Sequence, residues 1–295
     1  MKISKEQQFF IDKSLYFAKV LYEKGDQELI KLLQAQKISR DRILQEIANI
    51  ILRYEVADTN LNMPNTSIDK EYKKLGIIIQ EILQKEYGAE KGNVQDLLIN
   101  IGQDKYYSSS YLLGLGAGYE LQKVRSKQIN KIVNKAIKGK NYSDRIYDNK
   151  NDVAKQLKKE LKDFLKGNTN VNEIESIIKH RFNVDASFTS RLVNNEVARV
   201  QNQVNEQFFE DHNGQNVLYS ATLDDKTCEE CASYDDKTFK ADEDRPELPL
   251  HIGCRCCYIL LPNADYRPNT RLDNNTKENI DYTSYSEWKN EKLED

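Results

Sequence analysis

The sequence predicts a mainly α protein: an elongated helical N-terminal region, a small α+β module rich in cysteine with one histidine, and a polar tail. Three observations carry this. Pro64 is followed by no other proline until Pro246, and the span between is dense in Lys, Glu, Gln, Leu and Ile, the composition of helices. Apolar residues in that span recur at three- and four-residue steps. All five cysteines fall between Cys228 and Cys257, flanked by two β-prone segments. With 39% hydrophobic and 31% charged residues, the chain suits helices that bury one stripe better than an all-round core.

Residues 1–107 read as the helical N-terminal region. Phe10, Phe17, Val20 and Leu21 begin the stripe, Leu29, Leu32 and Leu33 continue it, and Ile43, Leu44, Ile47, Ile50 and Ile51 complete it. Gly25-Asp26 and Ser39 are expected to break or cap these helices. A loop is expected around Pro64, after which Tyr72, Ile77, Ile78, Ile82, Leu83, Val94, Leu97, Leu98 and Ile101 resume the helical period.

Residues 108–215 read as a second helical region. Its Gly114-Leu115-Gly116-Ala117-Gly118 fits neither phosphate-binding fingerprint and follows no strand, so small residues at a helix contact explain it better. Val153, Leu157, Leu161 and Leu165 form a stripe that stops at Gly167-Asn168. Asn172 and Glu175 have capping-box spacing. A last long helix is expected from Asp185 or Ser187 to His212-Asn213-Gly214. In residues 216–262, the stretches 216–223 and 258–261 are the candidate strands. Residues 263–295 read as a loosely held polar tail whose Trp288 is free to dock on a partner.

The net charge of −3 gives no overall positive field to draw the chain onto nucleic acid. The opening Met1-Lys2-Ile3-Ser4-Lys5-Glu6 lacks an apolar core, so no secretory signal is expected, and no apolar run is long enough to span a bilayer. A chain made in a reducing cytoplasm uses bunched cysteines for metal more readily than for disulfides.

Cys228-Glu229-Glu230-Cys231 lets two thiolates reach one ion from a single tight turn. His251-Ile252-Gly253-Cys254 offers the matching half, and the four donors make a tetrahedral N/S set suited to zinc. Cys256 is the alternative to His251 or Cys254, and Cys257 is expected to point the other way along a strand. Four ligands with no open position make a structural site. So small a module would draw much of its folding energy from the metal, roughly 10–16 kcal/mol in zinc-finger peptides. A disulfide from Cys228 to another cysteine is the competing use of these thiols.

Enzymatic readings fare worse. A zinc deaminase pairs Cys-x-x-Cys with an upstream His-x-Glu, but His212 is followed by Asn213 and Gly214. A Cys/His hydrolase needs a base beyond the ligands, and only His180 and His212 remain once His251 is used. On the long helix, Glu196 and Arg199 are three residues apart and able to pair, with Arg191, Asn194 and Asn202 along the same helix. Read from physics alone, they form a solvated, salt-bridged face.

These residues also line up with a known family. Residues 141–149, a helix, and then Arg191-Leu192-Val193-Asn194-Asn195-Glu196-Val197-Ala198-Arg199 resemble phage head morphogenesis proteins, including the Mu F-like minor head proteins. In that family the helix leads into a short strand and an Asp-x-x-x-Cys-x-x-Cys element, matched by Asp224 to Cys231. The closing Pro-x-His-x-x-Cys-Arg-Cys is matched by Pro249 to Cys256, with Phe239 at the hydrophobic position between the halves. Asn194-Asn195 departs from a common threonine, and Cys257 is extra. The similarity covers about residues 108–262.

The resemblance implies a non-enzymatic minor capsid protein of the virion, made in the host cytoplasm and associated with the portal protein and other head proteins. Its role would lie in head assembly, or in DNA packaging or ejection, with Glu196 and Arg199 organising the base of the zinc module. Two other classes stand against it: a toxin- or nuclease-like enzyme using the cluster, and a zinc-stapled nucleic-acid-binding protein. Phage DNA is a further possible partner, through the basic run Lys123, Arg125, Lys127, Lys131 and Lys135.

Overall fold

The computed structural model describes residues 5–117, 126–212, 214–240, 242–261 and 264–294. In chain order these form α1 (Lys5–Ile51), β1 (Glu55–Ala57), β2 (Asn60–Asn62), α2 (Asn65–Ala117), α3 (Ser126–Val133), α4 (Tyr142–Leu165) and α5 (Ile174–Asp211). There follow β3 (Asn216–Ser220), α6 (Glu229–Tyr234), β4 (Thr238–Lys240), β5 (Cys257–Leu261), β6 (Thr270–Leu272), β7 (Asn279–Asp281) and α7 (Tyr285–Glu294). The mainly α reading with a small C-terminal α+β module holds. No helix among the described residues is long and apolar enough to cross a membrane.

Several expected breaks are absent. Gly25-Asp26 and Ser39 lie inside the uninterrupted α1. A Cβ at Gly25 would come within 3.2 Å of the Val197 side chain, so this glycine serves close packing, not a turn. Gly114 to Ala117 are helical at the end of α2, and Gly118 lies outside the described residues, as do the side chains of Phe10 and Phe17. The two expected helices around Asn172 and Asp185 are one helix, α5. The capping box belongs to α4 instead: Asn141 accepts from the Asp144 N–H and Asp144 accepts from the Asn141 N–H, each at 3.0 Å. The stretch around Pro64 also hides a hairpin. Asp58 and Thr59, both at positive φ, turn β1 into β2.

The chain forms two compact units, with α1, α2 and α5 contributing residues to both. One unit comprises Gln27–Gln95 and Ala136–Val193. Its core gathers Ile43, Ile47 and Ile50, then Leu75, Ile79 and Leu83, then Leu157, Leu161, Phe164 and Ile178. α4 ends where the sequence expects. Gly167 at φ +72° closes it with bonds from Gly167 N to Phe164 O (3.0 Å) and Asn168 N to Asp163 O (2.9 Å), a Schellman arrangement.

That unit also buries a charge network. Lys150 occupies the inward stripe of α4 between Ile146 and Val153 and is 3% exposed. Its Nζ reaches Asp185 at 2.8 Å, Glu90 at 3.0 Å and Glu86 at 3.1 Å. Thr189 donates to Glu90 at 3.0 Å and Gln36 donates to Thr189 at 2.8 Å. Burial pulls the lysine's pKa down, but Glu90, Asp185 and Glu86 outweigh it and hold it above the ordinary value. Burial raises the Glu86 carboxyl, and Lys150 offsets this only in part.

The other unit holds the described residues up to Asp26, Asp96–Lys135 and Asn194 onward. α3 faces inward with Ile129 and Val133. A Cβ on Gly102 of α2 would stand 3.0 Å from Ile129 and 3.4 Å from Val200, so glycine sets the close approach there. Tyr106 and Phe208 meet edge-to-face at 5.9 Å. β3 is the centre of a three-stranded antiparallel sheet, ordered β4-β3-β5.

The polar tail is not loosely held. Trp288 is 2% exposed, packs with Leu223 and Tyr285, and donates to Asp273 at 2.9 Å. Arg271 makes a buried two-pronged pair with Asp235 at 2.6 and 2.9 Å and donates to the Ala221 carbonyl at 2.6 Å. The polar composition misleads because the tail docks through buried hydrogen bonds and a few aromatics rather than an apolar stripe.

Candidate metal centre

The centre is built from two turns. Cys228 caps α6 and accepts from the Cys231 N–H at 3.4 Å, which brings both sulfurs of Cys-x-x-Cys to one side. In the second turn Cys254 N donates to His251 O at 3.1 Å. Gly253 sits there at φ +83°, a conformation that L side chains rarely adopt. Asp224 and Arg255 form an ion pair that closes one turn onto the other. The same carboxylate accepts from Lys226 N at 3.0 Å and Thr227 Oγ1 at 3.1 Å, shaping the chain just before Cys228.

The donors converge. His251 Nδ1 lies 3.0 Å from the Ile252 carbonyl, which leaves Nε2 to face sulfur, 3.2 Å from Cys228 and 3.3 Å from Cys231. Cys231 Sγ is 3.8 Å from Cys254 Sγ. Two three-donor groups result, Cys228–Cys231–His251 and Cys231–Cys254–Cys256, each with all ligand atoms within 4.8 Å of one another and sharing Cys231. These groups could hold a metal ion. All five cysteines are unbonded in this structure. Cys257 pairs with Ser220 as the first residue of β5, one step out of phase with Cys256, and belongs to neither group.

The thiols differ in proton affinity. The neighbouring Cys256 thiol, with Tyr219, His251 and Cys228 acting the same way against burial, draws Cys231 down to about 4. Cys254 is also lowered, chiefly by Cys256. Cys256, placed between Cys231 and Cys254 and buried, is pushed far up. The Cys231 N–H draws Cys228 down, but burial and the Cys231 thiol reverse that, and its pKa ends raised. The cluster thus presents thiolate character at Cys231 and Cys254 and a retained proton at Cys256.

Glu196 and Arg199 are not a solvated face: they are 2% and 4% exposed. Arg199 bonds Glu196 at 2.8 Å and donates to the Ile132 and Val133 carbonyls at 2.8 and 3.0 Å, so it caps the C-terminal end of α3. Arg191 is exposed and takes no part. The link from α5 to the cysteines is made by Asn202, one of the polar residues the sequence marks on this helix, and by Asn205, which sequence reasoning passed over. Asn202 donates to the Cys256 carbonyl at 3.3 Å and Asn205 to the Tyr258 carbonyl at 2.7 Å. Their three-residue spacing on one helix face was the available signal. Of the basic run, Lys127, Lys131 and Lys135 are exposed, while Lys123 and Arg125 lie outside the described residues.

A family model described as Phage Mu protein F like protein matches residues 152–259. Over this segment, about a third of its length, the chain is similar to Mu F-like phage proteins. The match includes Glu196, Arg199 and every cysteine of the cluster, while residues 141–149 and the docked tail lie outside it. No curated protein and no solved structure matches the chain.

Proposed function

We propose that this chain is a non-enzymatic minor head protein of the virion, associated with the portal and acting in head assembly or in DNA packaging or ejection. Its C-terminal module is stapled by one structural zinc ion. The observation that carries the reading is the pair of three-donor groups, Cys228–Cys231–His251 and Cys231–Cys254–Cys256, that share Cys231 within the segment similar to the Mu F-like family. A tetrahedral zinc with bonds of about 2.3 Å to sulfur and about 2.0 Å to nitrogen needs S–S edges near ~3.8 Å and N–S edges near ~3.5 Å. The Cys231–Cys254 separation of 3.8 Å and the His251–sulfur separations of 3.2 and 3.3 Å lie close to those edges. Cys254 and Cys256, both in the second group, are the candidates for the fourth ligand. Zinc would supply folding energy to a module whose own sheet has only three short strands.

Co-expression with the portal protein of the same phage is expected to yield one co-purifying assembly. Failure of both folded, zinc-loaded partners to associate would remove the portal role. A second reading, contact with phage DNA, is favoured by the exposed Lys127, Lys131 and Lys135, spaced four apart in and just beyond α3. Duplex DNA should then be retarded at low salt and released steeply as salt rises; retention independent of salt argues against phosphate contact.

A further inference from the structure

Tyr219 stands opposite Tyr258 in the β3–β5 pairing. Residues two apart on a strand share a face, so Cys256, two before Tyr258 and at the edge of β5, continues that face. Tyr219 is wholly buried, and its ring is fixed between Tyr234 and Tyr258 at centroid separations of 5.6 and 5.4 Å. Its hydroxyl has no hydrogen-bond partner among the described residues, and the groups it faces are the thiols of Cys256 and Cys231. By contrast Tyr258, on the same face, donates to the Pro246 carbonyl at 2.8 Å. A buried hydroxyl without an acceptor is costly, and buried polar groups are seldom left that way.

A neutral thiol is a weak acceptor, whereas a metal-bound thiolate is a strong one, and hydrogen bonds from an outer shell orient and tune metal ligands. We propose that Tyr219 is a positioning residue for the metal centre, its hydroxyl donating to the Cys231 thiolate once zinc is bound. Cys231 is the sulfur common to both donor groups, so one donor there steadies the whole set. The inference rests on the zinc reading above. It also gives the unpartnered hydroxyl a role that packing alone does not: the rigid aromatic cluster holds the ring, and the zinc-bound sulfur supplies the acceptor.

The test is Tyr219→Phe in the full chain, which keeps the ring and removes only the hydroxyl. Zinc affinity by competition with a chelating dye is expected to fall about 10–100-fold. The sulfur-to-cobalt charge-transfer band of the Co²⁺-substituted protein should shift. The metal-free variant should melt at or above the wild-type temperature, because an unpartnered buried hydroxyl has been deleted. Tyr258→Phe, which breaks a bond to backbone instead, should leave the cobalt band in place. Equal zinc affinity and an unmoved band in Tyr219→Phe overturn the proposal, as does a lower metal-free melt. Wild-type protein that binds no zinc overturns the zinc reading itself, and this inference with it.

Discussion

Cys231→Ser is expected to strip the chain of metal and unfold its C-terminal module, the largest single-residue effect the structure implies. Cys231 is the donor shared by both three-membered groups, so its loss breaks each of them. Zinc-finger peptides draw roughly 10–16 kcal/mol from the metal at neutral pH, more than a whole domain's usual margin of about 5–15 kcal/mol. Removal of the sulfur also exposes what the thiolate was balancing: His251 Nε2, Cys254 and the Cys256 proton would converge on an uncharged hydroxyl. Metal content by elemental analysis and the melt of the module should both collapse. Cys257→Ser, outside both groups, should keep full metal content. An unchanged melt with metal retained in Cys231→Ser would sink the structural-zinc reading.

The pH dependence has a definite sign. Cys231 titrates at about 4, far below an ordinary thiol. A depressed pKa adds stability that is complete above the unfolded thiol value and is lost as pH falls through the folded one. This contribution should therefore decline progressively as pH falls below the unfolded thiol value and be gone near pH 4.

What the sequence made legible was whatever a local pattern encodes. The cysteine spacing marked Cys228, Cys231, His251, Cys254 and Cys256 because a metal site of this kind is two tight turns, each readable in four residues. Helix existence was equally plain from the stripes, but helix continuity was not. Gly25-Asp26 and Ser39 read as interruptions, while a helix interior tolerates glycine at a modest cost of about 1 kcal/mol where packing or neighbouring turns hold the backbone. Glu196 and Arg199 were visible as a pair but not as buried, because burial depends on α3 presenting its end carbonyls 66 and 67 residues away. The tail failed for a similar reason. Arg271 joins Asp235, and Trp288 joins Asp273, by hydrogen bonds between distant segments, which leave no period in the sequence. Lys150 was the one long-range feature with a local signature, a lysine on the apolar stripe of α4 four residues after Ile146.

Lys150→Met should destabilise its unit by about 3–5 kcal/mol, the usual cost of removing one partner from a buried ion pair. Methionine fills much of the same volume, so the loss is electrostatic more than steric. Glu86, Glu90 and Asp185, all nearly inaccessible, would be left without the ammonium that each now contacts. The wild-type network carries more carboxylates than cations, and burial leaves Glu86 with a raised pKa that Lys150 only partly offsets. A carboxyl whose folded pKa is raised favours the folded state while protonated, below its unfolded value, and loses that advantage as pH rises through the folded value. Lys150, also raised, contributes fully below the unfolded lysine value near ~10.4 and fades above it. The defect of Lys150→Met should therefore be greatest near neutrality and shrink toward pH ~4–5, where protons replace the missing ammonium. Urea denaturation of both proteins across that range measures it. In a wild-type background Glu86→Gln should be neutral or mildly stabilising at pH 7, since it discharges the surplus while Glu90 and Asp185 keep Lys150 paired. A Lys150→Met defect that stays constant with pH would mean that Lys150 matters for packing and not for charge.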